Sequence, residues 1–256
     1  MTGMMADMTP VMLIAVLIVV STAGFVKGAV GFAMPMIMVS GLGSFLPAEI
    51  AIAGLILPTV ATNLTQTFRN GGAHAWASFR KFWRFNLVLF VVILMSAQLV
   101  RQMPQSVLFL LLGGMIVVFG ALQLAGWQPR IRRGFEQVTE TTVAIVAGFF
   151  GGLTGVWGPP TILYLTALDV PKQESVRVQG SMYLMGSVLL LGAHLRSGVL
   201  NAQTIPLSLM LVAPALIGQF IGQRAQDRMD QALFRKATLA VLIVAGFNLL
   251  RRGLMA

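Results

Sequence analysis

The sequence predicts an all-α polytopic membrane protein, and three observations predict it. Of 256 residues, 57% are apolar and only 10% charged, with a mean hydropathy of +0.83. Long apolar runs alternate with short basic breaks along the whole chain. Eight acidic residues are too few to solvate the surface of a 27.5 kDa globule, since soluble domains carry about 25% charged residues. These observations exclude a soluble enzyme, a secreted scaffold and a disordered binder together. The formal charge of +10 lies in clusters between the runs, as in cytoplasmic loops, and does not point to nucleic acid. With no cysteine, disulfides, thiolate metal sites and cysteine nucleophiles are absent. Met1 to Pro10 holds Asp7 but no Lys or Arg. It lacks the basic start of a cleaved signal peptide, so the first run is expected to remain as a membrane segment.

The apolar runs are Val11–Ala23, Met34–Leu46, Pro47–Phe68, Phe85–Val100 and Val107–Trp127, then Thr142–Phe150, Thr161–Leu168, Gln173–Leu195, Ile205–Ile221 and Leu233–Leu250. A helix needs about 20 residues to cross the hydrocarbon. Met34–Leu46 and Thr161–Leu168 are too short for that.

The two halves repeat each other. Gly24-Phe25-Val26-Lys27-Gly28-Ala29-Val30-Gly31-Phe32-Ala33-Met34-Pro35 aligns without gaps with Gly148-Phe149-Phe150-Gly151-Gly152-Leu153-Thr154-Gly155-Val156-Trp157-Gly158-Pro159, at an offset of 124. Pro47 and Pro171 keep that offset, and Arg69-Asn70-Gly71 meets Arg196-Ser197-Gly198 a little further on. The expected organisation is a first transmembrane repeat over 1–126, a basic cytoplasmic linker over 127–140 and a second repeat over 141–256. Each repeat holds four or five helical segments. Such duplication is the usual build of secondary transporters, whose sites lie where the repeats meet.

Gly24 and Gly28, like Gly148 and Gly152, are spaced for small-xxx-small helix packing. A break is the sharper reading. Gly31 and Gly155 tolerate any backbone angle, and Pro35, Gly158, Pro159 and Pro160 follow closely. Broken backbone at membrane depth survives only against protein or a watery cavity. Helices starting near Pro35 and Pro159 then aim free amides and a positive dipole end into that cavity. No βαβ unit surrounds these glycines, so a dinucleotide loop is a poor alternative.

Lys27 is the only charge well inside an apolar run. It is read either as a snorkelling side chain or as an electrostatic contact for a transported anion. The second repeat has Gly151 there, so this contribution is asymmetric. Thr59, Asn63 and Gln66 share one face of the helix that follows, and Gln179, Tyr183 and Ser187 share a face in the second half. Both stripes fit interhelical hydrogen bonding or anion oxygens equally. Pro58 frees a carbonyl and kinks its helix.

The acidic residues Asp7, Glu49, Glu136, Glu140, Asp169, Glu174, Asp227 and Asp230 all lie at segment ends or in loops, so no mid-span carboxylate suits a cation carrier or proton relay. Glu49 and Glu174 read as helix-dipole partners. His74 and His194 make no metal set and are expected at the interface. Trp76, Trp83 and Trp127 read as aromatic-belt anchors, Trp157 as a wall of the site, and Met34, Met36 and Met38 as adaptable packing.

At these residues the chain resembles the TauE/SafE family, bacterial sulfite and organosulfonate exporters and related permeases. The resemblance covers essentially the whole chain: a Gly-rich break followed by Pro in each half, a Pro-initiated long helix and an Arg-x-Gly end to it. Many relatives carry three glycines where this chain reads Gly31-Phe32-Ala33. The resemblance implies a multi-pass permease of the bacterial inner membrane carrying small sulfur-containing or organic anions, such as sulfite or a sulfonate like sulfoacetate.

Two topologies compete. With each Gly-rich stretch a re-entrant hairpin tip, the halves are inverted. The cytoplasm then receives Arg69, Arg80, Lys81, Arg84, Arg130, Arg132, Arg133, Lys172, Arg177, Arg224, Arg228, Arg235 and Lys236, and the outside keeps Arg101, Arg196, Arg251 and Arg252: 13 against 4. Eight full spans with parallel halves give 10 against 7. The positive-inside bias prefers the inverted arrangement.

The expected site residues are Lys27, Gly28, Gly31, Pro35, Thr59, Asn63, Gln66, Gly152, Gly155, Trp157, Gly158, Pro159, Gln179, Tyr183 and Ser187, with no metal and no cofactor. The partners are a small anionic substrate and the lipid bilayer, with no nucleic acid; a homo-oligomer is compatible with this class. The expected activity is export by alternating access. An inside-negative potential drives a monoanion outward by about 2.3 kcal/mol per 100 mV, a gradient of about fifty-fold. The alternatives are an intramembrane enzyme, for which no catalytic kit is evident, and a proton-coupled importer of organic anions.

Overall fold

A computed structural model describes residues 8–68, 72–127, 130–131, 134–170, 172–225 and 230–255. Asp7, Arg69, Asn70, Gly71, Arg132, Arg133, Pro171, Asp227 and Arg228 fall outside these, as do the side chains of His74, Lys172 and Arg177.

Among the described residues every regular element is helical. The helices are α1 (Pro10–Val30), α2 (Met34–Leu42), α3 (Ala48–Phe68), α4 (Gly72–Lys81), α5 (Trp83–Ser96), α6 (Gln105–Leu124), α7 (Glu136–Thr154), α8 (Gly158–Ala167), α9 (Lys172–Ser197), α10 (Ile205–Met210), α11 (Val212–Ala225) and α12 (Gln231–Met255). Among the described residues six stretches are long and apolar enough to cross a membrane: Pro10–Val30, Ala48–Phe68, Gln105–Leu124, Val178–Ser197, Ile205–Ala225 and Ala232–Met255. Val11, Ile14 and Ile18 on α1, Ile217, Phe220 and Ile221 on α11 and Val241, Val244 and Phe247 on α12 are exposed. Their helical spacing makes outward apolar faces that lipid, not water, would solvate. The protein is a polytopic membrane protein.

Both predicted breaks occur, at the same offset. Gly31 (φ +84) ends α1 and donates its N–H to the Lys27 carbonyl at 2.7 Å; Gly155 (φ +71) ends α7 and donates to Gly151 at 2.8 Å. A left-handed cap of this kind suits glycine because it has no Cβ to clash. Pro35 and Pro159 then fall in the first helical positions, where no intrahelical donor is required.

The first break turns the chain back. A Cβ on Gly41 of α2 would sit 2.6 Å from Val19 of α1, so α2 folds along α1. Met34 Sδ lies by Thr62 while Leu42 lies by Gly54, so α2 runs toward the Glu49 end of the bundle. The second hairpin points the other way. Gly158 lies by Tyr183 at its tip, while Tyr164 stacks on Phe85 and Glu140 accepts from the Phe85 N–H at 3.0 Å. Both ends of α7–α8 therefore lie toward the Glu174 end.

The long helices interleave the two halves. Asn63 meets Tyr183 and Thr67 meets Gly180, so α3 and α9 are antiparallel. Gly113 lies against Gly246 and Gly253 against Ser106, so α6 and α12 are antiparallel too. Gly24 abuts Ala215 and Gly28 abuts Gln219, making α1 and α11 parallel; Gly148 abuts Leu89 and Gly152 abuts Ile93, making α7 and α5 parallel. A Cβ on Gly24, Gly28, Gly218 or Gly222 would fall 2.0–2.2 Å from a facing carbonyl oxygen. Both readings of the first motif thus hold, at different residues: Gly24 and Gly28 let backbones touch, and Gly31 makes the break.

Pro58 lies inside α3, and the carbonyl that its ring leaves without a donor is that of Gly54. Ser208 of α10 donates to that carbonyl at 3.3 Å and accepts from the Leu57 N–H at 3.1 Å. Ser208→Ala is therefore expected to cost about 1–3 kcal/mol, seen as a lower melting temperature in detergent; an unchanged melt would show the bond to be idle.

Three details depart from expectation. The Ile205–Ile221 run is interrupted at Leu211, between α10 and α11; Pro214 clashes with the carbonyl of Met210, four residues before it. A short helix, α4, follows α3 at the Glu174 end, with exposed Trp76 stacked on Phe79 at 5.6 Å. His194 is not interfacial but fully buried on α9, its Nδ1 3.2 Å from Ser197 Oγ, because the end of α9 is packed under α5 and α7.

Candidate functional site

Between the two hairpin tips lies a cavity of about 30 Å³ for the centres of water-sized spheres, room for two or three waters. Its lining joins α1 (Lys27), the first break and start of α2 (Phe32, Ala33, Pro35, Met36), α3 (Thr59, Asn63), the second break and start of α8 (Gly155, Val156, Trp157, Gly158, Pro159) and α9 (Tyr183). Both tips thus present the first turn of a helix to one space. The first amides of a helix have no intrahelical acceptor and carry its positive dipole end; Pro35, Pro159 and Pro160 have no N–H, so the amides left are those of Met34 and Met36 at one tip and Gly158 at the other.

Lys27 is 3% exposed. Its Nζ donates to Thr62 Oγ1 at 2.9 Å and to Asn63 Oδ1. Thr62 in turn donates to the Pro58 carbonyl at 2.7 Å, and Asn63 Nδ2 donates to the Tyr183 carbonyl at 2.9 Å. These contacts orient the ammonium, but both acceptors are neutral. Among the described residues the only ion pairs are Lys81–Glu174 and Arg101–Glu49, both well exposed. A buried cation without a counter-carboxylate is costly unless something negative joins it. Thr59 Oγ1 is also buried on the cavity wall, with no partner among the described residues. The site therefore offers a cation, a free hydroxyl and two helix starts. Its remaining wall is apolar, with Trp157 edge-on to Tyr183 at 6.4 Å.

Of the expected site residues, Lys27, Pro35, Thr59, Asn63, Gly155, Trp157, Gly158, Pro159 and Tyr183 come together on this cavity. The others lie elsewhere. Gly28 packs on Gln219, and Gly152 on Ser96 and Ile93. Gly31 is the helix cap whose carbonyl accepts from Gln66 Nε2 at 3.2 Å. Gln179 accepts from the Tyr183 hydroxyl at 3.4 Å, and Ser187 donates to the Leu184 carbonyl. Phe32, Ala33, Met36 and Val156 line the cavity without having been expected there. The 124-residue offset from Trp157 would have found Ala33. Gln219 also carried no signal: it accepts from Thr65 Oγ1 and donates to the Thr62 carbonyl, both at 3.0 Å, bracing α3, whose Thr62 and Asn63 accept from Lys27.

The fold is that of a polytopic helical membrane protein in which two broken helices bring a lysine and a hydroxyl to one internal cavity. The sequence model of the family described as Sulfite exporter TauE/SafE matches residues 16–249, and the chain belongs to that family. No curated protein and no solved structure matches the chain.

Proposed function

We propose that the chain is a secondary transporter that exports a small sulfur-containing or organic oxyanion across the bacterial inner membrane by alternating access. One observation carries the proposal: a buried ammonium, Lys27, stands without a carboxylate partner among the described residues, between two opposed helix starts. An anion supplies the missing charge, Thr59 and the free amides take its oxygens, and the apolar remainder of the wall suits sulfur or a short carbon tail.

The packing favours inverted repeats over parallel halves. The two hairpins enter from opposite ends of the bundle, and the corresponding helices α3 and α9, like α6 and α12, run antiparallel. In this reading the Glu174 end is cytoplasmic. Rocking of the two hairpins against the α3–α9 pair exposes the cavity alternately.

The test is flux from liposomes holding the purified protein, with sulfite, a sulfonate and a carboxylate supplied in turn. Potential-driven flux of at least one supports the reading; none for any of them overturns it, and flux only with a proton gradient assigns import. Topology is checked separately. Single cysteines replacing Arg196 and Arg224 enter a chain with no native cysteine, and an impermeant reagent is expected to label the first from outside only and the second from inside only. The reverse pattern, or both from one side, would sink the orientation.

A further inference from the structure

We propose that Arg235 and Gln123 form an outer docking site for the anion at the Glu174 end of the cavity, with the Phe32 ring as the partition between it and Lys27. This rests on the reading of the cavity as an anion site.

Arg235 lies near the start of α12, and its guanidinium carbon is 5.5 Å from the centre of the Phe32 ring. Phe32 lines the cavity and is almost fully buried. Arg235 thus stands one aromatic ring outside the space that Lys27 faces. Among the described residues no carboxylate pairs with it. Its hydrogen-bond partner is the neutral Gln123, whose Oε1 accepts from Nη2 at 3.2 Å.

That choice of partner matters. An acid at 123 would hold the guanidinium equally well and cancel its charge; the amide holds it and leaves the charge uncompensated. Gln123 also holds an unspent donor, its Nε2, which is buried and has no acceptor among the described residues. A guanidinium has five N–H groups in a planar fork suited to two oxygens of one anion. With one of them spent on Gln123, the others are left for an oxyanion, beside the unspent amide Nε2. The class is any small anion with two accessible oxygens, such as a sulfite, sulfonate or carboxylate.

The partition is carried by irregular backbone. Phe32 lies between Gly31 (φ +84) and Ala33 (φ +76), outside both helices of the hairpin. Its ring can therefore turn aside with less disruption than one set in a helix. An anion captured by Arg235 then moves past it to Lys27, from one uncompensated cation to the next. Charge at the mouth of a low-dielectric cleft raises capture rate more than depth of binding, and salt screens it.

The experiment is sulfite flux in phosphatidylcholine liposomes with the protein oriented one way, measured for wild type, R235Q, R235K, Q123E and K27M at several salt concentrations. R235Q is expected to raise KM about tenfold for entry from the Glu174 end, to leave kcat nearly unchanged and to flatten the salt dependence. R235K restores part of the KM, and Q123E behaves as R235Q does, which carries the test should R235Q not fold. If wild type transports, K27M does not and both R235Q and Q123E match wild type, the docking site is overturned while the cavity reading stands. If wild type passes no sulfite, both fall. A headgroup phosphate offers the same oxygens. If the R235Q defect appears only after anionic lipid is added, Arg235 is a lipid anchor and the proposal is overturned.

Discussion

Lys27→Met is expected to lower anion flux by at least about a hundredfold while the protein still folds. Removing one partner of a buried charge pair costs about 3–5 kcal/mol, and the partner lost here is the one the anion needs. The apo protein suffers much less. Met keeps the length of the side chain beside Thr62, and what is given up are bonds to two neutral acceptors, Thr62 Oγ1 and Asn63 Oδ1. Thr62 retains its bond to the Pro58 carbonyl and Asn63 its bond to Tyr183. Initial rates from liposomes, paired with melting curves in detergent, separate the two effects. Wild-type flux in the variant would remove Lys27 from the mechanism.

Gly28→Leu is expected to abolish accumulation of folded protein. The first side-chain carbon would fall 2.1 Å from the Gln219 carbonyl oxygen and 2.8 Å from the Gln223 nitrogen. Both obstacles are backbone, so no rotamer change relieves them, and α1 must part from α11. Overpacking costs about 1–3 kcal/mol where neighbours can adjust, and here they cannot. The shift also lifts Gln219 from Thr62 and Thr65. Gly192→Leu is the control, because nothing lies within 4 Å of a Cβ there. The check is the size-exclusion profile of each variant, with a monodisperse peak for Gly192→Leu and none for Gly28→Leu. Equal peaks would show that the close packing is dispensable.

Much of this arrangement can be read in the chain. The breaks were legible because glycine and proline change the backbone itself, and because Gly31 and Gly155 recur at one offset. Lys27 was legible because a charge inside an apolar run has few harmless explanations. Thr59 and Asn63 followed from helical spacing, yet the same spacing also selected Gln66, which bonds to the Gly31 carbonyl beyond the cavity. Spacing gives a face and not a depth. Phe32, Met36 and Val156 carried no signal, since an apolar wall residue reads like a lipid-facing one. Ser208, Gln123 and Gln219 are single polar residues whose partners lie on other helices far along the chain. Their purpose exists only after packing. The surface helix α4 was missed because its basic end reads as a loop, and the burial of His194 was hidden because its position near a helix end suggests an aqueous edge.

The exchange of partners between halves also constrains how the protein is made. α1 seats its glycines against α11, a helix of the other half made long after it. The earlier helix must therefore wait in the bilayer, its notched flank covered by lipid or by an assisting factor, until α11 has been made. Neither half can mature alone, and a transcript cut short anywhere before α11 yields a product that quality control should recognise by that empty seam.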